Sequence, residues 1–107
     1  MKISGRIVRP GAVVRGHVEV DGPTILSVDA SNASAADFVV PGFVDMHCHG
    51  GGGHTFTLGA ADDARAAAAF HLRHGTTTML ASLVSSPYEL MRDATAGYLP
   101  LVADGTI

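Results

Sequence analysis

The sequence predicts an α/β fold in which parallel strands alternate with covering helices, preceded by a short all-β segment. Three observations predict it. Up to about Val40 the chain shows period-two alternation broken by turn dipeptides. From Phe38 onward, apolar or β-branched runs alternate with runs of strong helix formers. The first of those apolar runs ends in a histidine pair and a glycine tract, the texture of a strand whose C-terminal end carries a site.

The elements follow in order. Ile3–Arg9 is a short β run closed by the turn dipeptide Pro10-Gly11. In Val13–Val20, Val14, Val18 and Val20 share one parity and Arg15, His17 and Glu19 the other, as in a half-buried strand. Asp21-Gly22-Pro23 turns the chain into a third run, Thr24–Val28, and the Ala-, Ser- and Asn-rich stretch 29–36 reads as a loop. This meander is too thin to bury a two-layer core by itself. Phe38–Met46 is dense in apolar residues and runs into His47-Cys48-His49 and then Gly50–Gly53. Asp62 or Asp63 is placed to cap a helix over Ala64–His74, with Gly75 just past its end. Thr76–Leu83 reads as a buried strand. Ser86 as N-cap, Pro87 at N1 and Glu89 at N3 make a capping box for a second helix. That helix is expected to turn Leu90, Met91 and Ala94 inward, to weaken at Gly97 and to be interrupted at Pro100. A short stretch ending at Asp104-Gly105 leaves Thr106-Ile107 as the opening of a third strand.

Composition narrows the function classes. A net charge of -3 offers no electrostatic footprint for nucleic acid or an anionic membrane. No apolar run approaches the ~20 residues of a membrane-spanning helix, and MKISGRIVRPGAVV lacks the apolar stretch of a signal peptide. Cys48 is the only cysteine, so an internal disulfide is excluded and a reducing, cytoplasmic setting is expected.

The chemistry concentrates in Asp45-Met46-His47-Cys48-His49. Strand parity puts Asp45, His47 and His49 on one face and Val44, Met46 and Cys48 on the other, toward covering helices. Two imidazoles one strand-repeat apart can reach a single divalent ion at ~2.0–2.1 Å, and a neighbouring carboxylate can support them. The pair also lies at a strand's C-terminal end, the edge where parallel α/β folds build their active sites. The other candidates read as structural. Gly50–Gly53 is a conformationally demanding loop, and His54 is a solvated loop residue. His71 and His74 favour a helix C-terminus that faces away from the site.

PGFVDMHCHG, Pro41 to Gly50, resembles the signature of the amidohydrolase superfamily. That resemblance implies a (β/α)₈ barrel holding one or two divalent metals beside a small β-sandwich. Residues 1–40 would then be part of the sandwich, and 41–107 the first βαβα units of an incomplete barrel. HGGGG (His49 to Gly53) followed by HLRHGTTTMLASLVSSP (His71 to Pro87) is similar to the N-acetylglucosamine-6-phosphate deacetylase family. This finer resemblance implies deacetylation of a phosphorylated amino sugar, with His47 and His49 as metal ligands and zinc as the expected ion. Asp45 would be supporting at most. It also implies that the catalytic carboxylate, the remaining ligands and most sugar-binding residues lie beyond Ile107, among them a glutamate in a His-x-Glu-Gly-Pro-like segment. No catalytic residue is therefore assigned, the chain is read as an N-terminal piece, and expressed alone it is expected to be inactive. The full enzyme is expected to bind no nucleic acid or membrane; members of the resembled family are often homodimers, but this segment carries no interface signal and leaves the oligomeric state open. The alternatives are a dihydroorotase- or hydantoinase-like cyclic amidase, an isoaspartyl dipeptidase, or a non-catalytic remnant. Against the cyclic amidases stands LASLVSSP, Leu80 to Pro87, which is unlike the Met-Pro-Asn expected on a dihydroorotase second strand.

Overall fold

The computed structural model describes residues 1–32, 36–58 and 60–107, which fall into two compact units, Met1–Pro41 and Gly42–Ile107. In the first unit, strands β1 (Lys2–Arg9), β2 (Ala12–Asp21) and β3 (Thr24–Ala30) form the antiparallel meander that the alternation predicts. A two-residue strand, β4 (Phe38–Val39), adds in parallel to β1, giving the order β3-β2-β1-β4. Val14, Val18 and Val20 take the more buried parity of β2, and Ile7 of β1 and Val18 of β2 are the unit's buried apolar side chains among those described. The loop expected over 29–36 begins later, because Asp29 and Ala30 still pair with His17 and Gly16; its residues 33–35 lie outside the described ones.

The apolar run 38–46 is not one strand. Val40, Pro41 and Gly42 break it, and β5 starts only at Phe43, running to Cys48. Its parallel partner is β8 (Thr76–Ala81), reached through β6 (Gly50–Gly51), β7 (His54–Thr55) and helix α1 (Ala61–Leu72). Helix α2 (Tyr88–Ala103) follows β8. The βαβα order predicted from Phe38 is thus present among the described residues.

The core of the second unit joins Cys48, Phe56, Ala64, Ala67, Ala68, Met79, Ala94, Tyr98 and Leu101. Small residues on α1 let it approach β8 closely, while Phe56 and, from α2, Leu101 are both fully buried in this core. Burial of such side chains stabilises by about 1.5–3 kcal/mol each. The Tyr98 hydroxyl donates to the Phe56 carbonyl, so the buried phenol is satisfied.

Several local expectations are corrected. Helix α1 starts three residues early, from an Ala60 N-cap without a side-chain bond. Asp62 and Asp63 sit inside its first turn, where the macrodipole favours them. Helix α2 has no capping box: Pro87 is the N-cap, and the Ser86 hydroxyl donates back to the Val84 carbonyl. Nor does Pro100 interrupt α2. The buried stripe Ala94, Tyr98 and Leu101 continues across the proline, and packing on that face outweighs the ~3 kcal/mol propensity penalty. Leu90 and Met91 are not in the core. β8 is shorter than expected and only partly covered, with Met79 alone buried and Thr77, Thr78 and Leu80 exposed. Beside it runs an open groove of about 550 Å³ lined by residues including Ala68, Leu72, Thr77 and Ile107. Val44 and Met46 are also exposed, because no described element covers that face of β5. Thr106 and Ile107 form no strand; both N–H groups donate to the Leu101 carbonyl at the end of α2.

Candidate metal centre

The end of β5 is held from two sides. Ser82, just past β8, donates its N–H to the Cys48 carbonyl at 2.8 Å, continuing the strand pairing by one residue. On the other side Gly50–Gly51 pairs antiparallel with His54–Thr55, so the glycine tract folds into a hairpin. Phe56 N–H closes it by donating to the His49 carbonyl at 3.0 Å. The hairpin needs glycine: Gly50, Gly52 and Gly53 have φ of 139°, 62° and 89°. A demanding turn was legible in the sequence; its folding back onto α1 was not. A side chain at Gly51 would meet the His71 ring, and one at Gly52 the Phe70 ring.

On this frame the two histidine side chains converge. The Nε2 atoms of His47 and His49 lie 2.9 Å apart, with their rings edge-on at a centroid distance of 4.8 Å. His49 Nδ1–H donates to the Ser82 carbonyl at 2.9 Å. A carbonyl oxygen only accepts, so this bond fixes the proton on Nδ1 and leaves Nε2 with a bare lone pair in the neutral ring. Two imidazole nitrogens at this separation fit a shared ion: ligands ~2.0–2.1 Å from one metal and 2.9 Å apart subtend an angle of about 90°. Both residues are exposed, so their donors are reachable. Asp45 takes a different supporting role from the one parity suggested. Its Oδ1 accepts the His47 backbone N–H at 3.0 Å, bracing the strand rather than an imidazole.

The structural histidines keep structural jobs with unexpected partners. His74 Nδ1–H donates to the Phe70 carbonyl at 2.8 Å at the end of α1, where a histidine is favourable. His54 is not simply solvated: its Nδ1 lies 2.7 Å from Asp63 Oδ1, tying the hairpin to the first turn of α1. His71 does not face away. Its Nε2 reaches the Gly50 carbonyl at 3.1 Å and Cys48 Sγ at 3.3 Å, beneath the glycine hairpin.

The sequence pattern of the amidohydrolase family matches residues 38–103. The chain belongs to that family. Amidohydrolases of one kind recur among the similar solved structures. An N-acetyl-D-glucosamine-6-phosphate deacetylase from Mycobacterium smegmatis matches with a TM-score of 0.85 at 33% identity, over 100% of this chain and 33% of that one. An Asp-to-Ala mutant of the M. smegmatis enzyme, in complex with N-acetyl-D-glucosamine-6-phosphate, matches with a TM-score of 0.84 at 32% identity, over 100% of this chain and 30% of that one. An N-acetylglucosamine-6-phosphate deacetylase from Thermotoga maritima matches with a TM-score of 0.85 at 27% identity, over 97% of this chain and 28% of that one. Comparison with curated proteins yields no match. The chain thus spans about a third of the length of the structures it matches.

Within this amidohydrolase chain, sequence reasoning missed the Ser82 carbonyl, and no residue type could have signalled it, since the contact is to backbone. It also missed a second group of metal-ligating atoms. Asp45, Cys48 and His71 bring a carboxylate oxygen, a thiol sulfur and an imidazole nitrogen within 4.8 Å of one another. Cys48 is buried, as parity expects, but Asp45, which parity groups with the histidines, brings its carboxylate to the cysteine instead, because the pairing of β5 is irregular between Asp45 and Cys48. What parity could not show is that α1 delivers His71 to the same place.

Proposed function

We propose that this chain is the N-terminal part of a cytoplasmic enzyme that deacetylates N-acetylglucosamine 6-phosphate to glucosamine 6-phosphate and acetate. The observation that carries the reading is the convergence of His47 and His49 Nε2 at the C-terminal end of β5. It occurs in a chain similar along its whole length to deacetylases of that substrate. The complex of the M. smegmatis mutant with N-acetyl-D-glucosamine-6-phosphate supports a phosphorylated amino sugar as ligand. Residues 1–40 are read as part of the flanking sandwich and 41–107 as the first units of the barrel.

His47 and His49 would hold a divalent ion, zinc in this reading, although neutral imidazole suits iron and nickel as well. When bound, such an ion polarises an amide carbonyl and acidifies a water molecule toward neutrality. The chain's own residues prepare that site. The Ser82 carbonyl holds His49 in the tautomer that presents Nε2. Asp45 fixes the backbone of His47, and the glycine hairpin anchors the backbone of His49. Two neutral imidazoles leave a divalent charge uncompensated, so a carboxylate from another strand end completes the set in this reading.

The test is acetate release from N-acetylglucosamine 6-phosphate by the full-length protein, followed alongside its metal content. His47→Ala and His49→Ala should each lower bound metal and deacetylation together, whereas His74→Ala should lower neither. Hydrolysis of dihydroorotate or a hydantoin in place of the amino sugar would overturn the substrate assignment. Full activity in either strand variant would overturn the ligand assignment.

A further inference from the structure

We infer that Cys48, His71 and Asp45, with the Gly50 carbonyl, form a second cation site, selective for borderline-soft divalent ions such as Zn²⁺ and Co²⁺. It lies beneath the glycine hairpin and is separate from the histidine pair. Sulfur, nitrogen and oxygen donors, four in all, converge there from β5, β6 and α1. Cys48 Sγ is 3.3 Å from His71 Nε2 and 3.4 Å from the Gly50 carbonyl, and His71 Nε2 is 3.1 Å from that same oxygen. A tetrahedral ion with S, N and O ligands at ~2.0–2.3 Å has donor–donor edges of about 3.3–3.6 Å. Three edges of the cluster therefore already have nearly the required length. The Asp45 carboxylate, within 4.8 Å of the sulfur and the imidazole nitrogen, supplies the fourth donor.

The donor chemistry sets the selectivity. Thiolate with imidazole favours Zn²⁺ or Co²⁺ over the hard ions Mg²⁺ and Ca²⁺, which take oxygen-only sites. In the ion-free state the imidazole N–H and the thiol both direct their hydrogens at one acceptor, the Gly50 carbonyl. Replacing those two hydrogens with one cation uses all four donors. Cys48 is buried while Asp45 and His71 are partly exposed, so the cluster is not sealed from solvent. Every protein donor is occupied when the site is filled, as in structural rather than hydrolytic zinc sites. Its effect is to clamp the end of β5 and the hairpin to the C-terminal turn of α1. This inference goes beyond the deacetylase reading and does not depend on it.

Cobalt substitution tests it, because thiolate–cobalt bonds give an intense charge-transfer band in the near ultraviolet that imidazole and carboxylate ligands lack. The full-length protein is titrated with Co²⁺ and then with Zn²⁺. A charge-transfer band that Zn²⁺ abolishes is expected. Cys48→Ser and His71→Ala should each lose the band and one bound equivalent. The His47→Ala/His49→Ala double variant should keep the band and lose the other equivalent. Asp45→Asn, which retains the acceptor for the His47 N–H, should weaken the band's cobalt affinity at least tenfold. That variant alters no core residue, so it decides the matter if the cysteine variant fails to fold by circular dichroism. Absence of the band in the unsubstituted protein would overturn the site. So would a band that survives His71→Ala but vanishes with His47 and His49, since the thiolate would then belong to a local chelate along β5.

Discussion

Two glycines of one hairpin should respond very differently to the same added methyl group. Gly50 and Gly53 both have positive φ, 139° and 89°, so an L-residue at either is strained by ~1–3 kcal/mol. Their surroundings differ. A Cβ on Gly53 would meet nothing within 4 Å, whereas one on Gly50 would lie 2.2 Å from the His54 carbonyl oxygen and 2.8 Å from Thr55 Cα. Both obstacles are backbone, so relief requires the hairpin to open, and overpacking of this kind adds about 1–3 kcal/mol. Gly53→Ala is therefore expected to cost roughly 1–3 kcal/mol and Gly50→Ala roughly 2–6 kcal/mol. The functional consequence should split further. Opening at Gly50 pulls on the Phe56–His49 backbone bond that anchors a metal-ligand candidate, while Gly53 sits at the turn. Urea-unfolding midpoints and zinc content of the full-length variants are the measurements. Gly50→Ala should lose both stability and metal, and Gly53→Ala stability alone. Equal midpoints, or undiminished zinc in Gly50→Ala, would refute the reasoning that backbone proximity is what demands glycine at position 50.

Three further outcomes are expected. Phe56→Ala, at a fully buried core position, should cost about 3–5 kcal/mol in the same unfolding assay, and a loss under 1 kcal/mol would show that this core is not formed. The Asp104 carboxyl is held below its ordinary value of 3.8, first by the Thr106 hydroxyl and then by Arg65. Its contribution is therefore present above that value and fades as pH falls through the lower folded one, so Asp104→Asn should differ from the unsubstituted protein at pH 6 and converge with it in acid; a gap that widens in acid would contradict this. The 107-residue chain expressed alone should show no cooperative thermal transition, because Phe43, Val44, Met46 and Leu80 expose apolar surface and β8 has an open edge. A sharp transition with native-like near-ultraviolet signal would disprove that.

What the sequence determined by itself was periodicity and chemistry. Alternating parity in β2, the βαβα order after Phe38, the strand-end position of His47 and His49, and the glycine-bound turn were all legible, because each depends on residues within a few positions of one another. The helix starts were misread for a related reason. Capping signals at Asp62, Asp63 and Ser86 are local preferences, and tertiary partners such as His54 took Asp63 away from the cap. Pro100 was overruled the same way, by a buried stripe that runs across it. Only the tertiary structure decided which carbonyl fixes the His49 tautomer, and that His71 meets Cys48 from 23 residues away under a hairpin of glycines. Those contacts join segments distant in the chain, and their geometry follows from how α1 packs across β6, β7 and β8 rather than from any spacing in the sequence.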